Sequence, residues 1–257
     1  MNIAEIFFSN WHIISSFFIV AILYASVGFG GGSSYLAILA LTSWTYPEIR
    51  ITALLCNIIV VSNSFYLYYK KDYYNFKKAT PLIIASVPMA FIGGYLKINE
   101  TLFFILLGLT LLIAATMMFL KKAKIPTVKP QFNPTPFKSL SYGGIIGFIS
   151  GMVGIGGGIF LAPILHLTNW DSSKKIAATA SLFILVNSLS GLSGQLLNPN
   201  FAINISTTWV LLITTLIGGQ IGTRLSIQLI NPSLLKKATA ILIAFVAIKI
   251  LLRYSTF

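Results

Sequence analysis

Acidic side chains are the scarcest chemistry in this chain. Five Asp and Glu stand against 18 Lys and Arg in 257 residues, and none of the five falls inside an apolar run, which excludes a carboxylate proton relay at membrane depth. Cysteine occurs once, as Cys56 within an apolar run. An internal disulfide is therefore impossible, a thiolate metal site has no partner thiols, and the residue reads as packing. Charged residues of all kinds make up 9% of the chain and hydrophobic ones 56%, with a mean hydropathy of +0.86. Such values exclude an ordinary soluble domain and describe a polytopic membrane protein.

The formal net charge of +13 does not point to nucleic acid. The basic residues sit in short loops between hydrophobic runs, where they set topology and meet anionic headgroups of the bilayer. The first residues carry Glu5 and no Lys or Arg, so the first apolar run is expected to remain as a span rather than to be removed as a signal peptide.

Apolar runs fall at 11–27 with 33–43, 50–69, 79–96, 101–120, 139–153 with 159–169, 176–197, 206–230 and 233–252. Most reach the roughly 20 helical residues that cross a hydrocarbon core of about 30 Å. Residues 33–43 would extend only about 16 Å at the helical rise per residue and read as a half-helix.

Two of these runs are interrupted in the same way. Val27-Gly28-Phe29-Gly30-Gly31-Gly32 returns as Val153-Gly154-Ile155-Gly156-Gly157-Gly158. Three successive glycines hold a helix poorly, each costing about 1 kcal/mol relative to alanine, yet they let the backbone turn sharply and expose its amides. Irregular backbone persists within a bilayer only where it is buried in protein or lines a cavity, so two such breaks point to one shared internal site.

The chain repeats around them. Gly28 matches Gly154, Leu39 matches Leu165, Leu41-Thr42 matches Leu167-Thr168 and Trp44 matches Trp170, all at an offset of 126. Gly93-Gly94 and Gly218-Gly219 mark equivalent regions farther on. The polar segment from Lys121 to Lys138, with Pro126, Pro130, Pro134 and Pro136, separates the halves. The expected organisation is a first transmembrane repeat over residues 1–121, a cytoplasmic linker over 122–138 and a second repeat over 139–257.

Charge orients the halves. If each break lies within one continuous span, there are eight spans, the halves are parallel and the basic residues divide 11 to 7. If each break is instead the tip of a re-entrant hairpin, 14 basic residues share one side, leaving Arg50, Lys97, Lys249 and Arg253 on the other. The positive-inside rule prefers the second arrangement. The expected fold is an all-α polytopic membrane protein of two homologous, inverted halves, each a glycine-broken re-entrant or discontinuous helix followed by three transmembrane helices.

In that arrangement helices beginning near Ser33 and Ile159 aim their amino-terminal ends at one place. The free amides of a first turn, with the positive end of the helix dipole, hold an anion without a buried cation. The candidate binding residues are Gly30, Gly31, Gly32, Ser33 and Ser34 in the first copy and Gly156, Gly157, Gly158 and Ile159 in the second. Ser33 and Ser34 add hydroxyls where the second copy has Ile159 and Phe160, so an asymmetric site is expected. Thr52 and Asn57 from the first half, and Thr179, Ser181, Asn187 and Ser188 from the second, can complete it, being polar groups that are costly to bury unused. The competing expectation for each is local bonding to its own helix, or close helix packing.

At these residues the chain resembles the TauE/SafE family of sulfite exporters and related anion permeases. The segment Gly154-Ile155-Gly156-Gly157-Gly158-Ile159-Phe160-Leu161-Ala162-Pro163, followed by Ala178 to Ser181, is similar to that family's signature. The first copy departs from it, with Ala37 in place of Pro163 and Leu54 in place of Ser181. The resemblance implies secondary transport of sulfite or a small organosulfonate out across the bacterial cytoplasmic membrane, with no cofactor.

Rival classes fare less well. Ser33 and His166 would make an intramembrane serine enzyme only if a carboxylate oriented the histidine, and no hydrolase elbow G-x-S-x-G occurs. Neither the dinucleotide pattern nor a phosphate-binding G-x-x-x-x-G-K-[ST] is present. A channel, another small anion such as a carboxylate, and assembly as a homodimer are left open.

Overall fold

The computed structural model describes residues 8–26, 28–120, 135–168, 170–225 and 232–255. Within them helices follow the apolar runs. α1 (Trp11–Ser26) ends at the first glycine motif and α2 (Gly32–Leu39) leaves it, after which α3 (Tyr46–Lys70), α4 (Phe76–Tyr95) and α5 (Glu100–Leu120) complete the first half. The second half repeats the order with α6 (Pro136–Val153), α7 (Gly158–Leu167), α8 (Ser173–Leu196), α9 (Ile205–Leu225) and α10 (Pro232–Ser255). No strand occurs among the described residues. Residues 121–134 of the polar segment, together with Val27, lie outside the described residues, and α6 takes in positions 136–138 of the segment read as linker.

The helix starts are encoded locally. Thr45 caps α3 in a capping box with Glu48, whose carboxylate accepts from the Thr45 amide at 2.9 Å and hydroxyl at 2.8 Å, and Pro47 stands in the first turn where its missing N–H costs nothing. Asn75 opens α4 by accepting from the Lys78 amide at 3.3 Å. The half-helices α2 and α7 have no side-chain cap; Gly31 and Gly157 occupy that position in left-handed conformations.

Among the described residues four helices combine the length and apolarity that crossing a bilayer requires: Tyr46–Lys70, Glu100–Met117, Lys174–Leu196 and Ile205–Arg224. Large apolar side chains such as Ile84, Ile145, Ile213 and Phe245 are exposed on the outer faces, as suits a surface that meets lipid rather than water. The chain is an all-α, multi-pass membrane protein.

Packing interleaves the halves. α4 lies along α6 and α1 along α9; α3 packs on α8, and α5 on α10. Exchanging the halves maps the first of these pairs onto the second and each of the others onto itself. Glycine makes the closest contacts possible: a Cβ added at Gly147 or Gly151 of α6 would stand 2.4 or 2.1 Å from the Ser86 or Ala90 carbonyl of α4, and one at Gly222 of α9 would stand 2.2 Å from the Ile22 carbonyl of α1. These are small-residue faces of the kind that let membrane helices approach through their backbones. Register gives direction as well. Leu82, Ser86 and Ala90 face Gly143, Gly147 and Gly151, and Phe18 and Ile22 face Gly218 and Gly222, so α4 runs parallel to α6 and α1 parallel to α9.

Candidate functional site

Both breaks turn through left-handed glycines, two in the first and three in the second. Gly28 and Gly31 in the first, and Gly154, Gly156 and Gly157 in the second, have φ between 80° and 89°, a region that side-chain-bearing residues avoid. Each first helix is closed by its own carbonyls. Gly28 N–H donates to Ala25 at 3.1 Å, and Gly154 N–H donates to Ser150 at 2.7 Å. Each half-helix then restarts from a glycine carbonyl, Gly31 accepting from Ser34 and Tyr35 and Gly157 accepting from Phe160 and Leu161.

The two breaks touch. A Cβ on Gly32 would come within 2.6 Å of the Ile155 carbonyl, so only glycine lets the first half-helix begin against the second break. Asn57, buried in the middle of α3, stitches them together. Its Oδ1 accepts from the Gly32 amide at 3.2 Å, while its Nδ2 donates to the Ile155 carbonyl at 3.3 Å and to Ser188 Oγ at 3.0 Å. One side chain thereby joins α2, α3, α8 and the second break. The first-turn amides of Ser33, Gly158 and Ile159 find no acceptor among the described residues. Those are the groups that a helix start offers to an anion.

The second copy lacks the stitch. Where Gly32 faces Asn57, Gly158 faces Ile184, whose Cδ1 lies 2.2 Å from the position of an added Cβ. The asymmetry expected from Ser33 and Ser34 thus extends to the long helices behind the breaks.

The remaining candidates divide. Gly30 and Gly156 lie against the Asn57 amide, and Ser188 is bonded to it. Ser33 is buried in the first turn of α2, and Ser34 bonds Tyr24 of α1 at 2.8 Å. Thr52 is bonded to Thr208 of α9 at 2.9 Å, and Asn187 donates to Ser86 of α4 at 3.1 Å and to its own helix at Phe183. Ser181 is bonded to Tyr74 at 3.0 Å and to its own helix at Ala178. The structure therefore places Thr52, Ser181 and Asn187 in contacts between elements rather than in hydrogen bonds to either break. Thr179 Oγ1 and Asn187 Oδ1 are buried without a partner among the described residues. Tyr74 lies in the loop between α3 and α4, and burial pushes its phenol above the ordinary range, so it remains a proton donor.

Sequence reasoning left one residue unrecognised. Arg50, expected among the few peripheral charges of the less basic side, is 2% exposed. Its Nη2 donates to the Gly151 carbonyl at 3.1 Å and to the Gly94 carbonyl at 3.4 Å, capping the carboxyl ends of α6 and α4. An arginine one turn into an apolar helix carries no local mark that separates burial from snorkelling outward, so its position was not legible. His166 follows on α7 and takes part in an interaction of its own. No cluster of three metal-ligating side chains occurs among the described residues.

The family model described as "Sulfite exporter TauE/SafE" matches residues 13–250. The "Probable membrane transporter protein y4hK" of Sinorhizobium fredii is 31% identical over 239 residues, covering 92% of this chain and 96% of that relative. The "Probable membrane transporter protein YunE" of Bacillus subtilis is 22% identical over 79% of each chain. A protein of the same description from Methanocaldococcus jannaschii is 26% identical over 85% of this chain and 86% of its own. No solved structure matches. The names all describe a membrane transporter rather than an enzyme.

Proposed function

Because the chain belongs to the sulfite exporter TauE/SafE family, we propose that it is a secondary transporter that exports a small sulfur-containing oxyanion, sulfite or an organosulfonate, across the cytoplasmic membrane. The observation that carries the reading is the meeting of the two breaks. Gly32 abuts Ile155, Asn57 bridges them, and the Ser33, Gly158 and Ile159 amides there have no acceptor among the described residues. Two half-helix starts converging on one point offer a partial positive charge of roughly half an electron each, which favours an anion.

The halves are inverted in this reading, and helix directions support it. α4 and α6 run parallel, as do α1 and α9, with α3 and α9 parallel through Thr52–Thr208 and Gly219–Val60. α1 then enters from the side where α3 begins, and α2 returns toward that side; α6 enters from the opposite side, where Lys78 meets Trp170 and Asp171. Two re-entrant hairpins would thus meet tip to tip, and the rule that basic loops stay inside puts Lys70, Lys78 and Lys174 in the cytoplasm. Alternating access follows if the halves rock about the stitch: the Gly32–Asn57–Ile155 bonds break on one side while the amides stay on the substrate.

No coupling ion is required for export. An anion leaving a cell whose interior is negative gains about 2.3 kcal/mol per charge per 100 mV. The test is flux of radiolabelled sulfite in proteoliposomes under an imposed potential, comparing wild type with Gly157→Leu. Saturable, potential-dependent flux that the substitution abolishes is expected. Unsaturable flux would make the protein a channel, and flux of carboxylates without sulfite would replace the substrate class.

A further inference from the structure

Arg50 is not merely a cap. It sits at the end of the bundle where α3 begins and α4 and α8 end, and it lines a cleft with Tyr46, Gln195, Asn198, Asn200 and Phe201. Among the described residues its hydrogen bonds use Nη2 alone, and its buried Nε finds no partner. No ion pair to it occurs among the described residues, where Glu48 is taken up by Thr45 and Glu100 by Tyr254. A buried cation facing only carbonyl dipoles is an expensive arrangement unless something else answers its charge.

Gln195 makes the cleft more unusual. It is 3% exposed, and neither its Nε2 nor its Oε1 has a partner among the described residues. Buried amides are almost always satisfied, so an orphaned one in a cleft beside an orphaned guanidinium N–H calls for a ligand that brings its own oxygens. The rest of the lining is already arranged. Asn198 donates to the carbonyls of Tyr95 and Leu96 and accepts from the Asn200 amide, and Asn200 in turn donates to the Tyr46 hydroxyl at 3.2 Å. These bonds fix the wall and leave Arg50 and Gln195 as the groups with donors to spare. The cleft has no counterpart across the repeat. At the offset of 127 that aligns Thr52 with Thr179, Arg50 corresponds to Ala177 and Gln195 to Tyr68.

We propose that Arg50 and Gln195 form a second oxyanion subsite, at the mouth of the pathway on the less basic side, which in the exporter reading is the side of release. This deepens that reading and rests on it. Arg50 supplies the charge, and the Gln195 amide donates to a second oxygen of a small oxyanion. The side of the bundle with few other cations thereby retains one fixed point of attraction for an anion leaving the breaks.

Full-length protein in nanodiscs, titrated calorimetrically with sulfite and with methanesulfonate at constant ionic strength, tests the subsite. Gln195→Leu removes only orphaned polar atoms, so its melting temperature should equal or exceed that of wild type while anion binding weakens about tenfold or more, the loss of a hydrogen bond to a charged ligand. Arg50→Gln, which also loses the caps on α4 and α6, should abolish binding. Wild-type affinity in Gln195→Leu would overturn the subsite and leave the breaks as the binding place. Absence of binding by wild type to either anion would overturn the oxyanion reading itself.

Discussion

The two glycine breaks turn by similar means and keep different company. Each turns through left-handed glycines and restarts a half-helix from a glycine carbonyl. Behind the first stands Asn57, which spends its amide joining the breaks; behind the second stands Ile184, which only packs. One polar connection thus serves two breaks, and the long helices add to the inequality that Ser33 and Ser34 already give the first. The same inequality recurs about a turn and a half away. Thr52 has a hydroxyl partner in Thr208, whereas the equivalent Thr179 has none among the described residues.

Leucine at either N-cap glycine strikes what the breaks share and should do the most damage. At Gly157, φ is +81° and an added Cβ would stand 2.8 Å from the Phe183 ring. Strain of about 1–3 kcal/mol joins overpacking of similar size. Gly31→Leu has the same strain but meets Tyr35 and Val20 at 3.1 Å, so its loss of melting temperature in detergent should be the smaller of the two. Equal losses would show that backbone strain alone matters.

Asn57→Ala comes next and acts on the difference. It leaves the Gly32 amide and the Ile155 carbonyl buried and unpaired, a cost of roughly 1–3 kcal/mol for each such group. Flux in proteoliposomes should fall with the melting temperature. A variant as stable as wild type would mean that water replaces the side chain. Ile184→Asn sharpens the same contrast from the other side. It should destabilise by about 1–2 kcal/mol, less than Asn57→Ala, because the Gly158 amide is at hand to donate to the new carbonyl. Destabilisation equal to that of Asn57→Ala would show that the second break cannot accept a stitch.

The smallest effects belong to the threonine pair. Thr52→Val should cost about 1 kcal/mol, one buried hydrogen bond. Thr179→Val should be neutral or stabilising, since its hydroxyl is already unsatisfied. Opposite signs in a denaturation series check the pairing, and a loss at Thr179 would reveal a partner, water or substrate, that its hydroxyl serves.

Much of this molecule was legible in one dimension. The described helices follow the apolar runs, with ends that differ by up to roughly four residues, because lipid forces every backbone group to be satisfied within its own segment. The breaks were legible because three glycines in a row have a local meaning, and the repeat because it is written twice at an offset of 126. Ser33, Ser34 and Asn57 were equally plausible from composition, yet only Asn57 spans both breaks. Thr52 and Ser181 read as site residues and lie in contacts with Thr208 and Tyr74.

The class of solvent the chain folds in, the places where helices start and fail, the doubling of the fold and the family are all written locally, in periodicity and backbone preference. Which polar groups meet is settled by packing. Asn57 reaches Ser188 across 131 residues and Arg50 reaches Gly151 across 101, and nothing in the neighbourhood of either residue specifies a partner that distant. Helix packing through glycine brings those carbonyls and hydroxyls within bonding distance, and it leaves Arg50 and Gln195 facing one cleft with donors unspent.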